Sequence, residues 1–145
     1  MLIGAMNHPG EDVVREIQWM AELGLDFIDL TLEPPVAAAA RVDTKVIRRA
    51  LEDRGMKVVG HTAFYLPIAN AFESVRTAAV DELRRCLDKF CEIGARWMNV
   101  HPDRHTPMHD RRFYIEGNIR SLRELIDHAR RCKVGVMIEN LPGDF

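Results

Sequence analysis

The chain has 145 residues, 47% of them apolar and 29% charged, the makeup of one globular domain large enough to bury a single core. Its 20 basic and 22 acidic residues leave a net charge of −2, which argues against a dedicated nucleic-acid binder. No apolar run approaches the roughly 20 residues that span a bilayer, and the first residues lack a basic n-region and a cleavage site, so the expected location is cytoplasmic with Cys86, Cys91 and Cys132 as reduced thiols.

Short apolar runs alternate with helical patterns along the whole chain. Residues 2–6 form the first run, and a helix over 11–23 places Val13, Ile17 and Met20 on one face. The second run is 27–32, followed by a long loop over 33–42 and a helix capped by Asp43 that carries Val46, Ile47, Ala50 and Leu51. The third is 58–61, with a loop to 73 and a helix over 74–93 carrying Val75, Ala79, Leu83, Leu87 and Phe90 in step. The fourth is 97–101, with a loop over 102–110. Its helix is the most regular, with Ile115, Ile119, Leu122, Ile126 and Ala129 at alternating spacings of four and three. Residues 135–139 close the series. Strands separated by helices without hairpin signals mean parallel pairing through crossovers, hence an α/β fold of about five strands and four helices in one domain, 1–145.

Gly24, Gly55 and Gly94 each end a helix two residues before a strand, so the helix-to-strand connections are short. The strand-to-helix loops are long. In parallel α/β proteins the loops at the carboxyl ends of strands build the site, so that end is the expected working face.

Alternation of side chains separates two faces of each strand. Ile28, Leu30 and Leu32 oppose Asp29, Thr31 and Glu33; Met98 and Val100 oppose Trp97, Asn99 and His101; Val136 and Ile138 oppose Gly135, Met137 and Glu139. The apolar sets pack against helices, and the polar sets point the other way. Helices on both faces would bury that polar parity, so a barrel interior is favoured over a doubly wound sheet.

Glu33, His61, His101 and Glu139 then lie at the carboxyl ends of the second to fifth strands. Two imidazoles and a carboxylate from neighbouring strand ends suit a borderline divalent cation such as zinc, or manganese with more oxygen ligands. A lone carboxylate at 139 after four uncharged residues is costly to bury without a cation. Asp29, deeper in its strand, suits a partner that orients a histidine. His8, His105, His109 and His128 are read as mostly solvated, with His105 and His109 only a weak second metal pair. Met6, Met98 and Met137 are read as core fillers, and Arg111-Arg112 and Arg130-Arg131 as solvated helix surface.

Three segments carry a resemblance: ELGLDFIDL at 22–30, CEIGARWMNVHP at 91–102 and IEN at 138–140. With them the chain resembles the xylose isomerase-like TIM barrel superfamily, which includes sugar phosphate isomerases and epimerases and the AP endonuclease family 2 proteins. The resemblance implies that Glu139 is the metal-binding glutamate of strand five. It also implies that His61 and His101 are the histidines that bind metal in the endonuclease branch and line the site in others. Asp29 stands where the superfamily often has a glutamate. An eight-stranded barrel takes about 250 residues, so the expected fold is a partial (β/α) barrel, the part without strands six to eight and their ligands.

The implied function is a metal-dependent sugar or sugar-phosphate isomerase or epimerase, with Glu139 and Glu33 catalytic, His61, His101 and Glu139 binding zinc, manganese or magnesium, and a small sugar as partner. Two alternatives stand beside it. One is a zinc-dependent AP endonuclease-like phosphodiesterase, for which Arg104, Arg111 and Arg112 are the obvious loop cations. The other is a non-catalytic barrel fragment that covers its open sheet edges by homo-oligomerisation. Neither nucleic acid nor membrane is an expected partner.

Overall fold

The computed structural model describes residues 1–104, 106 and 108–140. Five parallel strands, β1 (Gly4–Met6), β2 (Phe27–Leu32), β3 (Lys57–Thr62), β4 (Trp97–Val100) and β5 (Gly135–Ile138), lie side by side in chain order. Four helices cross over between them: α1 (Val13–Glu22), α2 (Thr44–Arg54), α3 (Glu73–Ile93) and α4 (Arg111–Cys132). This is a partial (β/α) barrel, as the strand–helix alternation predicts. β1 starts two residues later than the apolar run, because only from Gly4 does the chain pair with β2.

Three helices begin at an aspartate whose carboxylate accepts from free backbone N–H groups of the first turn: Asp12 from Arg15, Asp43 from Lys45 and Val46, and Asp110 from Arg112. α3 has no such cap; its first turn is tied instead by Arg76. This buried guanidinium binds Glu73 at 2.7 Å, Glu124 at 2.9 Å and the Ser121 hydroxyl at 2.7 Å, locking α3 to α4. Gly55 and Gly94 end α2 and α3 in the left-handed conformation that a side chain disfavours. Lys133 takes the same conformation after α4, so glycine is not needed at every exit.

The core lies between the outer face of the sheet and the helices. Ile28, Leu30, Leu32, Met98 and Val100 meet Ile17 and Met20 of α1, Ile47 and Leu51 of α2, Leu83, Leu87 and Phe90 of α3, and Leu125 of α4. Each such side chain contributes about 1.5–3 kcal/mol on burial. Gly60 of β3 is where Phe90 presses against the sheet; a Cβ there would lie 2.7 Å from the ring.

Three readings need correction. In α4 the buried residues are Tyr114, Asn118, Ser121, Leu125 and Ala129, while Ile115, Ile119 and Ile126 of the apolar stripe remain exposed. The helix turns its polar Asn118 and Ser121 inward because they hold loops: Asn118 bonds both backbone groups of Asp103, and Ser121 bonds the Ile68 carbonyl at 2.5 Å. The stripe instead borders, with Ile138 of β5, a groove of about 290 Å³. Ile138 is exposed although its parity set was expected to pack, since no described element beyond α4 covers β5. Met98 is core, but Met6 and Met137 are not, because both sit on edge strands.

Candidate functional site

Strand register assembles the polar face rung by rung. Thr31 pairs with His61, His61 with Asn99, and Asn99 with Met137, so these residues form one row across the inner face. Two residues further along each strand come Glu33, His101 and Glu139. The Glu139 N–H donates to the Val100 carbonyl at 3.0 Å, which extends the β4–β5 ladder just past Ile138 and holds Glu139 beside His101. His61 is inside β3, whereas His101 and Glu139 sit one residue beyond their strands.

Three ligand atoms converge. His61 Nε2 lies 3.3 Å from His101 Nε2 and 4.0 Å from a Glu139 carboxylate oxygen, which is itself 3.5 Å from His101 Nε2. Both histidines are buried, and the Glu139 side chain is 45% exposed. Asn99 donates its amide to the same carboxylate and steadies it. Asp29 accepts from His61 Nδ1 at 2.9 Å, which puts the ring proton on Nδ1 and leaves a bare lone pair on Nε2. His101 Nδ1 is buried and has no hydrogen-bond partner among the described residues. Phe64 stands edge-on to His101 at 6.5 Å between centroids.

The two imidazoles differ in their proton affinity. Burial would lower His61, but the hydrogen bond and charge of Asp29, with Glu139 and Glu33 further off, raise it above the ordinary value. Burial lowers His101, and a charge on His61 lowers it further, against a smaller opposing pull from Glu139. Tyr65 reaches Glu33; burial and this neighbour push its phenol up.

Neutral nitrogen lone pairs and a carboxylate facing one another repel unless a cation or proton lies between them. The donor set fits a divalent ion: two imidazole nitrogens and one oxygen within 4.8 Å of one another, with a carboxylate behind one histidine. Glu33 stands outside this group, on the far side of His61.

Sequence reasoning named all four strand-end residues and the orienting role of Asp29. It did not name Asn99 as the partner of Glu139, although its position two residues before His101 puts it on the same face. It also missed Asn7, whose buried amide brackets the Thr31 backbone at 2.6 and 3.3 Å and so continues the β1–β2 pairing by a side chain. Nothing local marks Asn7. Of the weak second pair, His105 lies outside the described residues, and His109 stacks on Phe113 at 4.9 Å.

The fold and this face define a partial parallel (β/α) barrel with a polar cluster at the carboxyl ends of its strands. The profile of the Xylose isomerase-like TIM barrel family matches residues 17–145, and the chain belongs to that family. A search of curated proteins gives no match. Among solved structures, a D-tagatose 3-epimerase-like protein superposes with a TM-score of 0.85 at 19% identity, over 99% of this chain and 54% of its own. The 3-keto-D-glucoside 4-epimerase of E. coli gives 0.78 at 20% identity, over 97% and 56%. An L-ribulose 3-epimerase gives 0.79 at 17%, over 95% and 49%. The chain thus spans about half the length of the structures it resembles. No described helix is long and apolar enough to cross a membrane.

Proposed function

We propose that this chain carries one half of the site of a sugar isomerase or epimerase, acting on a small ketose or aldose or its phosphate. The observation that carries this reading is the meeting of His61 Nε2, His101 Nε2 and a Glu139 oxygen at one point of the barrel mouth. The sugar epimerases among the similar structures support the substrate class.

His61, His101 and Glu139 would hold a divalent ion, zinc or manganese or magnesium. Such an ion supplies positive charge that polarises a sugar carbonyl and binds its neighbouring oxygen. Asp29 keeps His61 in the tautomer that offers Nε2. Glu139, half exposed and facing the open mouth, moves a proton at the carbon beside the carbonyl. Glu33, with the Tyr65 hydroxyl on it, is the second carboxylate and serves proton transfer from the neighbouring strand end. Phe64 stands edge-on to the His101 ring beside the cluster.

Less supports a phosphodiesterase. Among the described residues, Arg41 turns back onto the Pro35 carbonyl and Arg112 pairs with Glu116 at 2.7 Å, leaving Arg104 and Arg111 to face a polyanion. The test is solvent exchange. The full gene product is incubated with manganese and a panel of ketoses and their phosphates in heavy water, and deuterium beside the carbonyl is read by NMR. Metal-dependent exchange that Glu139→Gln abolishes supports the proposal. Absence of exchange with every sugar of the panel refutes it.

A further inference from the structure

A second group of ligand-type side chains lies at the other end of the molecule, where the carboxyl ends of α3 and α4 meet. Asp88 and Cys91 are three residues apart on α3, and His128 and Cys132 are four apart on α4, so each pair shares one helix face. The packing of α3 on α4 turns these two faces toward each other.

The contacts are specific. His128 Nε2 lies 2.6 Å from Asp88 Oδ1, and Cys132 Sγ lies 3.7 Å from the same oxygen. One ligand atom from each of Asp88, His128 and Cys132 falls within 4.8 Å of the others. The Cys91 thiol donates to the Cys132 carbonyl at 3.3 Å and stands within hydrogen-bonding reach of the Cys132 thiol. In a tetrahedral site with metal–ligand bonds of about 2.0–2.3 Å, ligand atoms are about 3.3–3.8 Å apart. One spacing here lies within that range and one below it, with Asp88 Oδ1 3.7 Å from Cys132 Sγ and 2.6 Å from His128 Nε2. His128, read from sequence as solvated, is in fact largely covered, its side chain 20% exposed.

We propose that Asp88, His128 and Cys132, with Cys91 as fourth ligand, form a zinc site that clamps α3 to α4. Two thiolates, an imidazole and a carboxylate select zinc over magnesium or calcium, and four protein ligands make a closed, structural site. Arg131, which donates to His128 Nδ1 at 3.2 Å, is exposed and swings outward when that nitrogen takes up the ring proton. The site shares no residue with His61, His101 and Glu139, and it does not depend on the proposed activity.

Cobalt distinguishes the two centres, because only this one contains sulfur. The metal-free, reduced protein is titrated with cobalt(II) and followed by absorption. The expected result is a thiolate-to-cobalt charge-transfer band with intense visible bands, saturating at one equivalent, and retained in a His61→Ala/His101→Ala variant. Cys132→Ser and His128→Gln should each remove the band and weaken zinc binding at least about 100-fold in competition with a chromogenic chelator. Cys91→Ser should weaken it at least about 10-fold. In the His61→Ala/His101→Ala background zinc should raise the Tm, and adding His128→Gln should remove that rise. Absence of the sulfur band, its survival in both Cys132→Ser and His128→Gln, or an unchanged affinity in Cys91→Ser overturns the four-ligand site.

Discussion

Replacing Asp29 by asparagine tests how the candidate centre controls His61. The amide oxygen can still accept from Nδ1–H, so the tautomer survives while the charge is lost. The carboxylate lies 2.9 Å from the His61 ring, whose side chain is 8% exposed, but Asp29 itself is 27% exposed. Unit charges ~4 Å apart at an effective dielectric of about 20 interact by about 4 kcal/mol. Exposure of Asp29 screens part of this, leaving about 1–2 kcal/mol when His61 is protonated.

The pH dependence fixes the sign. The folded pKa of His61 lies above its unfolded value of about 6.5, so the stabilisation by Asp29 is complete below ~6.5 and disappears as pH rises through the folded pKa. His101 works oppositely. Its folded pKa is lowered, so the unfolded chain takes up the extra proton as pH falls through ~6.5, and the native state loses stability there. Asp29→Asn removes the first contribution and keeps the second. In urea unfolding with a chelator present, variant and wild type should be closest at about pH 8 and differ by a further ~1–2 kcal/mol at about pH 5.5. A gap that is constant across that range refutes the assigned role of Asp29. With manganese, which the sulfur-bearing cluster disfavours, calorimetry should show binding about 10- to 100-fold weaker in the variant.

Two glutamate variants separate a carboxylate that both holds metal and moves a proton from one that only moves a proton. Glu139→Gln should weaken manganese binding at least about 10-fold by calorimetry, whereas Glu33→Gln should leave that affinity within about twofold and lower the rate of deuterium exchange at least about 100-fold. Gly60→Ala forces a methyl to within 2.7 Å of the buried Phe90 ring and should cost about 1–3 kcal/mol in urea unfolding; a neutral result would show that the ring moves freely. Arg76→Ala removes a buried cation from Glu73 and Glu124, which are partly exposed and can rehydrate, so the expected loss is about 2 kcal/mol rather than the larger cost of stranding a buried charge. Thermal melts would check it, and an unchanged Tm would show that the α3–α4 junction does not rest on this residue.

The parallel α/β order, the strand ends that carry the polar cluster and the polar inner face were legible in the amino-acid sequence because each is a local property. Period-two alternation in 27–32 and 97–101 states which side chains share a face, and Asp43 and the helix-ending glycines state where helices start and stop. His61, His101 and Glu139 could be named in advance because parallel strands in chain order bring successive strand ends together whatever their sequence separation. What the tertiary structure alone decided is phase between elements. Register placed Asp29 on His61 and Asn99 on Glu139. Loop anchoring rotated α4 so that Asn118 and Ser121 face inward and the isoleucine stripe faces out. Helix packing brought Asp88 of α3 to His128 and Cys132 of α4, residues 40 and 44 positions apart. A period is written in consecutive residues, but the angle at which one helix or strand meets another is set by side chains packed from distant segments, and no single segment contains it.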